Sequence, residues 1–217
     1  MNTKPLFKEK RRKILVISPH PDDEILGCGG SIIKAIEKGD EIFVIYLTSG
    51  DSNQKIREKE ALAVCKYLGI NHHYFLRFQK NGFTASPENI GVLVKIFQKI
   101  KPDVVYINHD QDADNEHCIA YKLIMETYWR HNSKQPPISK IKGLLLYEIH
   151  RPMKTYNLVE DISKYINRKM EAMSFYRSQL NEAKLDLAIK GLNRYRGSIH
   201  EGVDYAEVFQ IKKWTIQ

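Results

Sequence analysis

Cysteines are scarce in this sequence and long hydrophobic runs are absent, and both shortages narrow the possible classes of protein. The 217 residues include only three cysteines, Cys28, Cys65 and Cys118, which are too few and too widely spaced for a disulfide framework or a cysteine-based zinc site. No apolar run approaches the ~20 residues of a membrane span, and residues 1–12 lack the apolar core of a signal peptide. We therefore expect a globular protein of the reducing cytoplasm, without a transmembrane segment.

Positive charge is in excess. The net charge is +8, and five basic residues cluster near the start of the sequence: Lys8, Lys10, Arg11, Arg12 and Lys13. Such clusters can contact nucleic acid or acidic lipid, but no zinc finger, ribonucleoprotein-type aromatic motif or helix-turn-helix pattern accompanies this one. We interpret residues 1–12 as a basic tail and residues 13–217 as one domain. We expect the charge to favour anionic small molecules over nucleic acid.

Segments with helical spacing of apolar residues alternate with short β-rich runs along most of the chain. This alternation predicts a Rossmann-like α/β fold, with a mainly parallel sheet, helices on both faces and a small C-terminal extension. Residues 132–140 are expected to form a surface loop. The expected strands are 14–17, 41–48, 74–78 and 103–107, and the expected helices are 25–38, 54–68, 87–100 and 118–130.

The chain is organised around one polar segment that directly follows the first expected strand, Pro19-His20-Pro21-Asp22-Asp23-Glu24. Its three carboxylates repel one another, and a divalent cation would offset that repulsion while using the imidazole as a ligand. If Pro21 begins a helical turn, His20 and Asp23 can face one point, which leaves Asp22 free for proton transfer. The structural alternative is an acidic helix N-terminus that complements the helix dipole.

A second polar segment, Asn108 to His117, follows the fourth expected strand and precedes a helix. In a parallel sheet both segments emerge at the same edge, so His117 or His109 could complete a site with His20 and Asp23. A His-Asp-His set leaves a fourth position open, as a hydrolytic zinc site requires. An isolated histidine beside a helix start is more often a cap or a surface residue, and that alternative stays open for both histidines.

Nucleotide binding is a competing interpretation, because Gly27-Cys28-Gly29-Gly30 also follows the first strand. Glycines at such a turn can cradle a pyrophosphate. Here, however, Asp22, Asp23 and Glu24 occupy the turn where the anion would lie, and they would repel it. We expect the glycines instead to let the first helix pack closely on the sheet.

The segment 19–24, with the glycine-rich residues 26–30 behind it, resembles the PIG-L/LmbE-like family of zinc-dependent N-deacetylases. The resemblance spans about residues 13–209. Further matching segments follow in the order typical of the family: Arg57-Glu58-Lys59-Glu60-Ala61, Leu68-Gly69, Lys101-Pro102-Asp103-Val104-Val105, the segment ending in His117, Asp161-Ile162-Ser163, Lys169, Tyr176-Arg177-Ser178-Gln179, Arg196-Gly197 and Tyr205-Ala206-Glu207-Val208-Phe209.

The resemblance implies that His20, Asp23 and His117 bind Zn2+ and that Asp22 is the catalytic base. It also implies removal of acetate from an N-acetyl group, usually on a glucosamine conjugate. In the expected mechanism, Asp22 accepts a proton from a metal-activated water as that water attacks the acetyl carbonyl. The expected partner is a small amino-sugar conjugate, neutral or anionic. Monomer and homo-oligomer are both compatible with the sequence.

The second motif departs from the pattern of many family members. Those members read His-Pro-Asp-His, whereas residues 114–117 read Asp-Asn-Glu-His, so Asp114 replaces the histidine that resembling enzymes use near the oxyanion. Residues 112–117 are closer to the Asp-x-Asn-x-Asp-His version of some members. We expect Asp114 to face the hydroxyls of the substrate, or a residue behind a metal ligand, rather than the oxyanion.

Three more residues are expected to support the site. Glu116 or Asp112 would orient the ring of His117 from behind, as carboxylates commonly do for metal-binding histidines. Arg57 would contact a hydroxyl or phosphate of the substrate, because a guanidinium binds anions through two parallel hydrogen bonds. The alternative for Arg57 is a pair with Glu58 or Glu60 on the helix surface.

Two other functions stay open at this point. One is a basic α/β binding protein whose acidic loops are only structural. The other is a hydrolase of a different amide, because specificity resides in loops that vary on a constant fold.

Overall fold

The computed structural model describes residues 11–50, 53–133, 141–199 and 202–215. Residues 1–10 of the predicted tail and residues 134–140 of the predicted loop lie outside the described residues. Arg12 lies within them and binds Asp40 through both its backbone N–H and its guanidinium. None of the helices in these ranges has the length and apolar character needed to cross a membrane.

Across the described ranges, seven strands form one sheet in the order β3-β2-β1-β4-β5-β7-β6. Each neighbouring pair from β3 to β5 is parallel, whereas β7 is antiparallel to β5 and to β6. The C-terminal part of the chain therefore completes the sheet. The strands are β1 (Lys13–Ser18), β2 (Glu41–Tyr46), β3 (His72–Phe75), β4 (Val104–Asn108), β5 (Gly143–Tyr147), β6 (Leu158–Asp161) and β7 (Ala206–Trp214).

Helices cover both faces of the sheet, as the sequence predicts. Along β1, Ile14 and Val16 belong to the core on one face, while Leu15 and Ile17 belong to the core on the other. Such alternation is the consequence of the two-residue period of a strand that is buried on both sides. The helices are α1 (Asp23–Glu37), α2 (Gln54–Leu68), α3 (Pro87–Ile100), α4 (Asn115–Ser133), α5 (Ile166–Met173), α6 (Arg177–Glu182) and α7 (Leu185–Ser198), and α3 and α4 lie on the opposite face from the others.

Several boundaries differ from those expected, for local physical reasons. Helix α1 begins two residues early because the backbone carbonyl of Asp22 accepts hydrogen bonds from Ile25 and Leu26. Helix α4 begins three residues early because Asp114 Oδ1 accepts from the backbone N–H of Glu116 at 2.7 Å. Strand β3 covers 72–75 rather than 74–78, and as an edge strand it is only partly buried, so its apolar signal is weak.

A buried ion pair ties the C-terminal part of the chain to α1. Lys169 on α5 is fully buried, and its Nζ donates to Glu207 Oε1 on β7 at 2.7 Å and to the backbone carbonyl of Leu26 at 2.9 Å. The Glu207 carboxylate also accepts from the backbone N–H groups of Gly30 and Ser31, each at 2.8 Å. This network fixes the middle of α1 against β7.

The glycines of α1 permit the close packing that the sequence predicts for them. A Cβ added at Gly27 would lie 2.1 Å from Cδ2 of the Tyr147 ring on β5, well inside contact distance. The Tyr147 hydroxyl in turn donates to the carbonyl of Ile17 at 2.6 Å. Helix α1 can therefore lie on this part of the sheet only because residue 27 has no side chain.

Gly27→Ala is expected to lower the free energy of unfolding by about 1–3 kcal/mol, since the added methyl group must displace the Tyr147 ring. A matched control is Gly91→Ala in α3, where an added Cβ would meet nothing within 4 Å. That substitution should stabilise the protein by about 1 kcal/mol, because alanine favours the helix. Thermal unfolding followed by circular dichroism separates the two. Equal changes in Tm would contradict the packing argument.

Candidate metal centre and active site

The two polar segments meet because the strands that carry them are neighbours. Strand β1 pairs in parallel with β4, so their carboxyl ends lie at the same edge of the sheet. The segment after β1 supplies His20 and Asp23, and the first turn of α4, which follows β4, supplies His117. All three side chains are buried, and each offers a metal-binding atom within 4.8 Å of the others.

The three potential ligand atoms form an equilateral triangle. His20 Nδ1, Asp23 Oδ2 and His117 Nε2 are separated by 3.2 Å in each of the three pairs. The backbone N–H of His20 also donates to Asp23 Oδ2 at 2.8 Å, which fixes that oxygen relative to the loop. We call this set of three atoms the triangle.

The triangle fits a metal ion better than it fits hydrogen bonding alone. Hydrogen bonds cannot satisfy all three edges at once. If one ring nitrogen donates to the other, the accepting nitrogen carries no proton and cannot donate to Asp23 Oδ2. A tetrahedral ion with ligand bonds of ~2.0–2.1 Å holds its ligand atoms ~3.3–3.4 Å apart, close to the spacing observed here. Two imidazoles and one carboxylate also leave a fourth position for a water molecule or a substrate. The residues present therefore fit a divalent metal ion.

A carboxylate lies behind each histidine of the triangle. Glu116 Oε2 is 2.8 Å from His20 Nε2, and its other oxygen accepts from the backbone N–H of Asn81 at 2.7 Å. Asp112 Oδ1 is 3.2 Å from His117 Nδ1. Either Glu116 or Asp112 was expected to support His117. The structure places Asp112 beside His117, close to Nδ1 but without a hydrogen bond of good geometry, and it places Glu116 behind the other histidine.

The carboxylates around the triangle favour positive charge on its two histidine rings. Burial lowers the pKa of both histidines, but Asp23 and the supporting carboxylates outweigh it, so the pKa rises to about 9 for His20 and to about 11 for His117. Burial alone would raise the pKa of Asp23. The two imidazoles have the larger, opposite effect, so this pKa lies well below its usual range. The same carboxylates that raise these two pKa values would also favour a bound metal cation in place of the ring protons.

Asp22 is buried beside the triangle but does not belong to it. Its Oδ1 is 3.4 Å from Arg57 Nη2. Burial and the charge of Asp23 raise the pKa of Asp22 well above its usual range. Its backbone has a φ of 124°, a strained conformation for any residue with a side chain. Such strain is typical of functional sites.

Comparison with known proteins identifies the family. Residues 15–128 match PIG-L, described as GlcNAc-PI de-N-acetylase. The chain belongs to the PIG-L family. The uncharacterized deacetylase YaiS of Escherichia coli (strain K12) is 33% identical over 130 residues, which cover 54% of this chain and 68% of that protein. The diacetylchitobiose deacetylase of Thermococcus kodakarensis is 23% identical over 222 residues, which cover 90% of this chain and 81% of that protein.

Solved structures show the same fold. The conserved protein TT1542 from Thermus thermophilus has a TM-score of 0.85 and 28% identity, with 95% of this chain and 97% of that chain covered. A 4-carboxy-2-hydroxymuconate hydratase, GalB, has a TM-score of 0.82 at 19% identity, with 95% of this chain and 98% of that chain covered. The second comparison concerns the fold alone. A hydratase on this fold means that the reaction must be argued from the site.

Arg57, in the stretch Arg57 to Ala61 that resembles the PIG-L pattern, is buried rather than exposed on α2. Its Nη2 donates to the backbone carbonyl of Pro21 at 2.8 Å, so it supports the loop that carries Asp22. The alternative of a surface pair is wrong, because Glu58 pairs with Arg77 and Glu60 accepts from Ser178. The predicted contact of Arg57 with substrate stays a prediction.

His109 and Asp114 lie near the triangle without joining it. His109 Nε2 is 2.8 Å from the carbonyl of Arg151, and its Nδ1 accepts from the backbone N–H of Gln111 at 3.1 Å, so both ring nitrogens are engaged. Asp114, the residue that departs from the common PIG-L pattern, binds the first turn of α4 through Oδ1. Its expected contact with substrate hydroxyls stays a prediction.

His150, which follows β5, was not predicted from the sequence to lie near the site. Its exposed ring stacks on that of His117, with centroids 5.1 Å apart and planes inclined by 14°. Asp114, His117 and His150 also offer metal-binding atoms within 4.8 Å of one another. The available signal was position: β5 is the next parallel strand after β4, so residues that follow it reach the same edge of the sheet.

Proposed function

We propose that this chain is a zinc-dependent hydrolase that removes the acetyl group from an N-acetylated amino sugar. The observation that carries the proposal is the triangle of His20, Asp23 and His117 with the carboxyl group of Asp22 beside it. Relatives named as deacetylases of diacetylchitobiose and of N-acetyl-alpha-D-glucosaminyl L-malate support the choice of an N-acetyl amide.

The triangle would hold the metal through two imidazole nitrogens and one carboxylate oxygen, a donor set that suits zinc. Bound there, zinc supplies Lewis-acid chemistry, which lowers the pKa of water toward neutrality and polarises a carbonyl group. Glu116 keeps the ring of His20 in the orientation that directs its other nitrogen toward the ion, and Asp112 lies close to Nδ1 of His117.

Asp22 transfers the proton in this proposal. Its carboxylate takes a proton from the water whose oxygen bonds to the acetyl carbon. It then gives that proton to the amine nitrogen as the C–N bond breaks, so the products are acetate and the free amino sugar. The buried position of Asp22 favours this role, because a raised pKa brings a carboxyl group closer to the pH at which it both accepts and returns a proton. Arg57 keeps the Asp22 loop in place through the Pro21 carbonyl.

Zinc-loaded protein is expected to release acetate and free amine in equal amounts from the methyl glycoside of N-acetylglucosamine. A chelator should remove the activity, and added zinc should restore it, because the water is activated only at the metal. Acetate and amine are measured by coupled assay and by amine derivatisation. Unchanged turnover by chelated, metal-free protein would contradict metal dependence. Zinc binding without turnover of any N-acetylated sugar would favour a binding protein instead.

A further inference from the structure

Helix α7, the first turn of α1 and the segment after β5 line an open cavity of about 280 Å³. This volume is close to the lower end of the ~300–1,000 Å³ that is usual for small-molecule sites. Apolar side chains form most of its walls, namely Leu26, Ile149 and Pro152 on one side and Leu185, Ile189 and Leu192 of α7 on the other.

One residue that lines the cavity also contacts a member of the triangle. His150 lines the cavity, and the ring of the same residue stacks on His117. Leu26 lies on the first turn of α1, three residues after Asp23. We expect a molecule with its acetamide group at the triangle to reach this cavity through a neighbouring substituent. In a 2-acetamido sugar the two carbons next to the acetamide carry the anomeric substituent and the C3 hydroxyl, and only the anomeric substituent is an aglycone.

The chemistry of the walls selects what can fill the cavity. His150 contributes the sole titratable side chain among its lining residues, and no lysine, arginine or carboxylate faces into it from the described part of the chain. An anionic group placed there would lose part of its hydration against walls that are mostly apolar, with only His150 able to offer a partner, and that loss is costly. An apolar group would be removed from water against apolar walls, which is favourable.

We propose that this cavity binds an apolar aglycone, an alkyl or aryl group on the anomeric oxygen of the N-acetylated sugar. The proposal rests on the deacetylase function and narrows its substrate class. The net charge of +8 led us to expect a preference for anionic substrates. That preference does not apply to this cavity, because no lysine or arginine is among its lining residues.

The test compares three glycosides of N-acetylglucosamine with zinc-loaded enzyme: methyl, hexyl and 5-carboxypentyl. The hexyl glycoside is expected to have a kcat/KM at least ~10-fold above that of the methyl glycoside, because each buried methylene group can contribute up to about fourfold. The carboxypentyl glycoside, of similar length but charged, should show no such gain.

Variants of α7 locate the effect. Leu192→Asp places a charge in the cavity wall, and Ala188→Trp, at a lining residue on the same helix, fills the cavity without introducing charge. Both should bring the ratio of hexyl to methyl kcat/KM close to one. Leu187→Asp is the matched control, because Leu187 is 64% exposed on α7 and does not line the cavity, so the ratio should stay high. If Leu192→Asp fails to fold, the ratio measured with Ala188→Trp tests the location of the site by itself.

The outcomes separate this proposal from the one on which it rests. Equal kcat/KM for the methyl and hexyl glycosides, with both deacetylated, would overturn the aglycone site and leave the deacetylase function intact. That result would also follow if a second copy of the chain covered the cavity. An equal loss of preference in Leu187→Asp would overturn the location. Release of acetate from neither glycoside would overturn the deacetylase function itself.

Discussion

Asp22→Asn is expected to lower kcat by about 100- to 10,000-fold, the usual contribution of a general base, while zinc content stays at that of the unchanged protein. An amide cannot accept the proton of the attacking water. Asparagine is the right replacement because Asp22 has a φ of 124°, and asparagine, like aspartate, tolerates positive φ better than most residues. Its side-chain oxygen can still accept from Arg57, so the loop should remain folded.

The control for Asp22→Asn is Asp110→Asn, which removes one carboxylate from an exposed position in the loop after β4. This control should keep both its zinc and its activity. Zinc is measured by atomic emission on dialysed protein, and turnover is measured as acetate release. Normal kcat in Asp22→Asn would mean that Asp22 has a structural role and that another group moves the proton. Loss of zinc from this variant would mean that Asp22 belongs to the metal site.

His117→Ala is expected to lose nearly all bound zinc and, with it, nearly all activity. The triangle offers three ligand atoms, and the variant leaves only two of them, which cannot hold a tetrahedral ion tightly. The loss of activity should be at least as large as in Asp22→Asn, because a protein without zinc lacks both the Lewis acid and the activated water.

His109→Ala is the matched control for the metal experiment. It removes an imidazole from the same loop, but both nitrogens of that ring bind backbone groups and none belongs to the triangle. Loss of two such hydrogen bonds should lower stability by about 1–3 kcal/mol without changing zinc content. Circular dichroism checks that both variants are folded. A folded His117→Ala protein with full zinc would disprove the ligand assignment.

The convergence of the triangle was predictable from the sequence, because parallel strands bring their carboxyl ends to one edge. His20 and Asp23 follow β1, and His117 follows β4, so their meeting required only that the two strands be neighbours. The local pattern placed both segments at one edge of the sheet, while the pairing of β1 with β4 came from the fold. The local pattern also located α2 and α3 at their observed bounds.

Contacts that depend on distant packing were not predictable. The burial of Arg57 against Pro21 depends on how α2 lies on the loop after β1. His150 was missed because it follows β5, a strand beyond the last one that the sequence pattern defined. The insertion of β7 between β5 and β6 depends on antiparallel pairing between segments separated by about fifty residues or more, which no local pattern encodes.

The position of β7 has a consequence for how the protein matures. Strand β7 follows the other six described strands along the chain, yet it lies inside the sheet, and β6 joins the sheet only through it. Its Glu207 also accepts hydrogen bonds from the backbone N–H groups of Gly30 and Ser31, about two helical turns beyond Asp23. During synthesis, the early segments of the metal site therefore emerge long before the strand that holds α1 in place. We expect the site to become rigid only after β7 has joined the sheet, since α1 lacks the contacts with Glu207 before then.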